Sequence, residues 1–193
     1  MNICVFGAAS SEIDYKYINA VEKMGEELAK QGHQLVFGAG AQGLMGAAAR
    51  GFKKGGAKIT GVIPEFFKDG DIELIYTECD DLIFTETMRE RKATMEDKAD
   101  AFVIVPGGIG TFEEFFEVLT LKQLGRHTKP IAIYNVDGYY DAMEAMLNNS
   151  VQESFVYEAC KSLYKYVTAL DELVKYINEN NQNDYSVKDM KNG

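Results

Sequence analysis

The 193-residue chain carries 20 Lys plus Arg against 30 Asp plus Glu, a net charge of −10, with 46% apolar and 26% charged residues. That is the composition of one ordinary globular domain, and it excludes a mainly disordered chain. The acidic balance argues against general nucleic-acid binding, since no Lys/Arg cluster could displace counterions from a phosphate backbone, and no apolar run approaches the roughly 18 residues of a membrane span.

Short apolar runs alternate with longer amphipathic ones. Strands are predicted at Ile3–Phe6, Gln34–Phe37, Lys58–Val62, Glu73–Glu78, Ala101–Val105 and Pro130–Tyr134, with a weaker one at Leu163–Tyr166. Helical patterns cover Tyr15–Gln31, Gly43–Lys54, Thr87–Ala99, Thr111–Leu124, Gly138–Asn149 and Thr168–Asn178. Ala101-Phe102-Val103-Ile104-Val105 is apolar throughout, as suits a strand covered on both faces. The expected fold is α/β and Rossmann-like: a doubly wound, mainly parallel sheet flanked by helices. Residues 1–178 form one expected nucleotide-binding domain, and residues 179–193 a polar, flexible tail.

Cys4, Cys79 and Cys160 are widely spaced with no C-x-x-C pair, which fits reduced thiols. Met1-Asn2-Ile3-Cys4-Val5-Phe6 reads as a buried strand rather than a signal peptide, so a cytoplasmic location is expected. His33 and His127 have no Cys or His at ligand spacing, and no metal site is expected.

In such a sheet, ligands bind beyond the carboxyl ends of the strands. Two loops there are glycine-rich. Gly38-Ala39-Gly40-Ala41-Gln42-Gly43 matches G-x-G-x-x-G, but it follows the second strand, and no clear acidic residue ends the next strand to hold a ribose. Two readings stand. The glycines allow close packing and tight turns, or the helix opening near Gly43-Leu44-Met45-Gly46 offers free amides to an anion. The second loop is more distinctive: Pro106-Gly107-Gly108-Ile109-Gly110-Thr111-Phe112-Glu113-Glu114 runs from a buried strand into a helix, a backbone-dominated anion site to which Thr111 adds a hydroxyl.

Thr111 to Glu114 also reads as a capping box, in which Glu114 merely reaches back to the Thr111 amide. At roughly 100° per residue, Phe112, Phe115, Phe116 and Leu119 share one face. Glu113 and Glu117 point to a polar face, whereas Glu114 lies on the shoulder of the apolar stripe, where a carboxylate is more readily desolvated. In Met88-Arg89-Glu90-Arg91-Lys92-Ala93-Thr94-Met95, Arg91 and Lys92 flank the inward stripe and could reach a site at the sheet edge. The plainer reading is a solvated helix with pairs such as Lys92 to Glu96.

Met88-x-x-Arg91-Lys92-x-x-Met95 followed by Pro106-Gly107-Gly108-x-Gly110-Thr111-x-x-Glu114 resembles the LONELY GUY (LOG) family. Its members include cytokinin riboside 5′-monophosphate phosphoribohydrolases, many once labelled "possible lysine decarboxylase". The resemblance runs from Ile3 to about Ile177 and includes the Gly38–Gly46 loop and Gly61-Val62-Ile63-Pro64. It implies hydrolysis of a purine nucleoside 5′-monophosphate, AMP or a cytokinin-type nucleotide, to free base and ribose 5-phosphate, without metal or organic cofactor, by a homodimer. Carried over by position, Arg91 and Glu114 are the catalytic pair. Ser10, Gly40, Gly43, Lys92, Gly107, Gly108, Gly110, Thr111 and Thr120 fall to the nucleotide. This chain departs from the family in having Arg89 where His is common, Gly7-Ala8-Ala9-Ser10 where Cys-Gly-Ser-Ser is common, and Ala39 in place of a glycine.

The residues fit the chemistry, since breaking an N-glycosidic bond builds oxocarbenium-like charge that a carboxylate can stabilise. A nucleotide-binding sensor or carrier of the same fold is the alternative. A dinucleotide-dependent oxidoreductase would rest on the lone G-x-G-x-x-G, and a pyridoxal-phosphate decarboxylase would need a Schiff-base lysine that no motif identifies.

Overall fold

The computed structural model describes residues 1–68 and 74–179. Seven strands form one sheet: β1 (Asn2–Phe6), β2 (Gln34–Phe37), β3 (Ile59–Pro64), β4 (Asp81–Thr85), β5 (Ala101–Ile104), β6 (Ile131–Tyr134) and β7 (Lys165–Val167). Their order is β4-β3-β2-β1-β5-β6-β7 and every pairing is parallel. The helices α1 (Tyr15–Lys30), α2 (Gly43–Lys54), α3 (Met88–Lys98), α4 (Ile109–Gln123) and α5 (Asp141–Gln152) lie in the crossovers that parallel neighbours require, and α6 (Leu170–Asn178) follows the last strand and packs back on the sheet. The chain is thus doubly wound, and strand order reverses between β1 and β5, where a crevice opens at the carboxyl ends.

Alternation along β1 divides the core. Ile3 and Val5 face a layer built by Val21, Met24 and Leu28 of α1, Leu44 and Phe52 of α2, and Leu173 and Ile177 of α6. Cys4 and Phe6 face the other layer, with Met95 of α3, Phe115 and Val118 of α4, and Tyr140. Ile3 to Phe6 and Ala101 to Ile104 are all at most 2% exposed, which explains why these strands are apolar at every position rather than at alternate ones.

Three differences from the sequence expectation stand out beside shifts of one to three residues at other element ends. The strand expected at Glu73–Glu78 falls partly on residues outside those described, and the rest of it is a short strap. Ile75 bridges Gly40 antiparallel, the Ala41 amide donates to the Leu74 carbonyl, and the Tyr76 amide donates to the Ala39 carbonyl. The fourth strand is instead Asp81–Thr85, an edge strand with Asp81 and Phe84 exposed, so its apolar signal is diluted. Helix α4 begins at Ile109 rather than Thr111, with Gly108 as its N-cap. Helix α5 begins at Asp141 rather than Gly138, because Asp137 (φ 54°) and Gly138 (φ 73°) are both left-handed and interrupt any helix there. The expected polar tail lies outside the described residues beyond Glu179.

Helices α1 and α2 approach so closely that a Cβ on Gly51 would overlap the Glu22 carbonyl oxygen. Gly51→Ala must push the two helices apart. The expected cost is about 1–3 kcal/mol, read as a melting temperature lower by roughly 2–4 °C per kcal/mol in thermal unfolding. An unchanged melting point would mean that this contact yields freely.

Candidate active site

The first glycine loop is a packing device. Gly43 has a φ of +57°, and a Cβ there would stand 2.5 Å from the Ala8 carbonyl oxygen and 2.7 Å from that of Ser10. The Ala8 carbonyl comes this close because it accepts from the amides of Leu44 (2.8 Å) and Met45 (3.2 Å). The opening of α2 is therefore occupied by backbone from the loop after β1, which favours the packing reading of this loop over the anion reading. Gly40 is buried as well, pinned at its bridge with Ile75.

Arg91 comes from the first turn of α3, which is capped by Thr87: its Oγ1 accepts from the Glu90 amide at 3.1 Å, and Glu90 Oε2 accepts from the Glu86 amide at 2.8 Å. This start turns Arg91 inward. The residue is 6% exposed, with Nε donating to the Val62 carbonyl at 3.2 Å and Nη2 to the Gly38 carbonyl at 3.0 Å. A Cβ on Gly38 would overlap Nη2, so the guanidinium needs a glycine at the end of β2. Sequence reading assigned Gly38 no such part, and its partner lies 53 positions away.

Glu114 approaches from α4. Its Oε1 is 3.8 Å from Arg91 Nη1, an ion pair beyond hydrogen-bond length, with side chains 13% and 8% exposed respectively. With α4 starting at Ile109, Glu114 lies in the second turn, too far along to cap the helix. The first intrahelical bond joins the Phe112 amide to the Gly108 carbonyl at 3.0 Å. The capping-box reading is thereby corrected. Burial pushes the Glu114 carboxyl from the usual 4.5 to about 7, with Arg91 pulling the other way. Beneath the pair, burial drives the Cys4 thiol far above its ordinary range and keeps it inert.

The neighbouring Lys92 does not pair with Glu96. Its ammonium bridges to Glu113 and to Glu117 Oε2 (2.6 Å), clamping α3 against α4. Ser10, Gly107 and Gly108 line a cavity of about 260 Å³ in the crevice between β1 and β5, together with Ile13, Tyr17 and Tyr139. Gly108 and Gly110 have open space where a Cβ would project, and the first-turn amides of α4 have no intrahelical acceptor. Thr111 is 4% exposed with its side chain packed on Gly107. Thr120 stands apart: it is nine residues further along α4, about 13.5 Å by helical rise, in a separate apolar groove with Phe116, Leu119, Leu147 and Tyr164. Tyr17 and Tyr139 were not foreseen. The signal available for Tyr139 was its place in the loop after β6, at the carboxyl edge of the sheet.

A carboxyl pKa raised by folding means that the folded chain retains a proton which the unfolded chain releases. The contribution of Glu114 to stability is therefore complete below pH 4.5 and is lost as pH rises through about 7. Glu114→Gln is neutral throughout. Between about pH 4 and about pH 8, urea unfolding should show its stability gaining on wild type by on the order of 3 kcal/mol. The same pH dependence in both proteins would contradict a desolvated carboxylate.

Comparison with known proteins places this geometry. A family model described as "possible lysine decarboxylase" matches residues 45–177. The cytokinin riboside 5′-monophosphate phosphoribohydrolase LOG2 of Arabidopsis thaliana is 36% identical over 177 residues, covering 92% of this chain and 82% of its own. The probable cytokinin riboside 5′-monophosphate phosphoribohydrolase LOGL9 of Oryza sativa is 37% identical over 177 residues, 92% of this chain and 77% of its own. Among solved structures, the molybdenum cofactor carrier protein of Chlamydomonas reinhardtii superposes with a TM-score of 0.69 at 20% identity, over 92% of this chain and 96% of its own, which speaks for the fold. With its family model matched over most of its length and its relatives spanning nearly all of it, the chain belongs to the LONELY GUY family, the group described as possible lysine decarboxylases.

Proposed function

We propose that the protein hydrolyses the N-glycosidic bond of purine nucleoside 5′-monophosphates, AMP or its N6-prenylated form, and releases the free base and ribose 5-phosphate. The observation that carries this reading is the buried Arg91–Glu114 pair, 3.8 Å apart, at the carboxyl edge of the sheet whose β1–β5 crevice is lined by the glycine loop. Anion binding alone needs no carboxylate beside the cation. Bond cleavage does, and the names of relatives at 36–37% identity carry that same activity.

In the proposed reaction the C1′–N bond breaks with its electron pair going to the base, and cationic charge develops on the sugar. The ionised Glu114 carboxylate stabilises that charge and takes a proton from the attacking water as the new C1′–O bond forms. The departing nitrogen takes up one proton from water while Glu114 gives the proton it received back to water, so the products are neutral at the cleaved bond and the carboxylate is restored. Arg91, fixed by two carbonyls, holds Glu114 in place and offsets negative charge on the substrate. The open first turn of α4 with Gly107, Gly108, Gly110 and Thr111 receives the phosphate, with Ser10 on the facing wall, and so anchors the reacting sugar. Lys92, already neutralised by Glu113 and Glu117, braces the two helices that carry the pair. The residues implied by position at Gly40 and Gly43 serve this arrangement through backbone packing.

We assign the active form as a cytoplasmic homodimer. Support comes from the apolar groove of Phe116, Leu119, Leu147 and Tyr164, with Thr120 on its rim, and from the strongly exposed Phe155 beside its wall residue Val156. No helix among the described residues is long and apolar enough to cross a membrane.

Wild type should release ribose 5-phosphate from AMP and N6-prenylated AMP. Glu114→Gln should lose about 10²–10⁴-fold in kcat while still binding the nucleotide. Binding without release by the wild type would mark a nucleotide carrier instead. Because the ionised carboxylate is the working form, kcat should climb with pH up to about 7 and level off above it. A rate that falls over that interval would assign Glu114 the opposite protonation state. Gel filtration should give twice the 21.5 kDa chain mass, and a monomer would overturn the dimer.

A further inference from the structure

The second glycine loop is held by an element with no part in the reaction as proposed. Three successive carbonyls at the end of β5 each accept from a donor outside the loop. The Tyr140 hydroxyl donates to the Val105 carbonyl at 2.8 Å, the Ala8 amide to that of Pro106 at 3.1 Å, and the Tyr139 hydroxyl to that of Gly107 at 2.7 Å. In a trans peptide the C=O and the following N–H point in opposite directions. Tying down the Pro106 and Gly107 carbonyls therefore also fixes where the Gly107 and Gly108 amides point. Glycine is the residue whose peptide planes turn most freely, so this loop has the most to gain from external ties.

The two tyrosines are themselves placed by a rigid turn. Asn135 Nδ2 donates to Asp141 Oδ1 at 2.7 Å, and Asn135 Oδ1 accepts from the Tyr140 amide at 2.7 Å. Left-handed Asp137 and Gly138 then swing Tyr139 toward the β1–β5 crevice. Asp137 is ion-paired with Lys16 of α1, and the Tyr139 ring meets Tyr17 of α1 edge-on at 6.0 Å and Tyr140 at 5.0 Å. Tyr140 is 1% exposed, whereas Tyr139 is 43% exposed and lines the cavity.

We infer that the Asn135–Tyr140 turn is the positioning element of the anion loop, and that the Tyr139 hydroxyl, through the Gly107 carbonyl, orients the amides that meet the 5′-phosphate. This deepens the functional reading and rests on it. Tyr139 is a positioning residue: its hydroxyl governs affinity for the phosphorylated end of a ligand and not the bond-breaking step.

Tyr139→Phe keeps the ring, its two aromatic contacts and the cavity wall, and removes only the hydroxyl. Binding of ribose 5-phosphate and of inorganic phosphate, measured by calorimetry, should weaken about five- to tenfold, as for one lost hydrogen bond. The KM for AMP should rise in step with kcat within about twofold of wild type, and competition by unphosphorylated adenosine should not move. Phosphate and adenosine weakening together would place the hydroxyl on the nucleoside and overturn the inference. So would unchanged phosphate binding, or a fall in kcat at constant KM. The two readings fail separately. A wild type that binds ribose 5-phosphate and cleaves nothing sinks the hydrolase alone, whereas a Tyr139→Phe protein that binds phosphate like wild type while AMP is cleaved sinks the positioning role alone. A wild type that binds no phosphorylated ligand sinks both.

Discussion

A guanidinium removed from water costs several kcal/mol unless its charge and its donors are matched, and the carboxyl edge of this sheet is arranged around that demand. Arg91 supplies two donors to the carbonyls of Gly38 and Val62, which belong to the ends of two different strands. Neutral carbonyls satisfy the N–H groups but leave the positive charge standing. Glu114 offsets it only in part, from 3.8 Å, across a gap too long for a hydrogen bond. The site thus carries an unfilled electrostatic demand on both partners: a cation short of an anion, and a carboxylate whose own burial holds it near neutrality. The pair is close enough for each charge to feel the other and too far apart for a hydrogen bond to close it.

The demand propagates outward through backbone. Gly38 must lack a Cβ for Arg91 to reach its carbonyl, and α3 must begin where Thr87 caps it for the side chain to enter. Lys92, one residue on, ties α3 to α4, the two helices that carry the charges, through Glu113 and Glu117. The same scaffold superposes on a cofactor carrier at 20% identity, which fits the general rule that a fold supplies the frame and the loops supply the chemistry.

The sequence made the layers of the fold plain, because a strand buried on both faces must be apolar throughout, as Ala101 to Val105 is. It also showed the placement of Arg91 and Glu114 on the shoulders of their helices, since a helical period is a local property. What escaped was set by distant partners. The apolar Leu74-Ile75-Tyr76 run reads as a strand, but it straps the loop after β2 and packs Tyr76 against Phe37, while the real edge strand hides among acidic residues. Thr111 and Glu114 satisfy the spacing of a capping box, yet α4 starts at Ile109, and the turn before it is shaped by donors from residues 8, 139 and 140. The opening of α2 looked free because the carbonyl that occupies it lies 36 residues upstream, at Ala8.

That last feature gives the crevice a handedness for its ligands. Two helices open at the ends of adjacent parts of the sheet, and each brings the positive end of its dipole there. The amides of one are stoppered by the Ala8 carbonyl, and the glycine-lined mouth of the other is open. A molecule with a single dianionic end meets one electropositive terminus rather than two. The crevice is thus electrostatically one-ended, with its positive pole on the β5 side of the strand reversal.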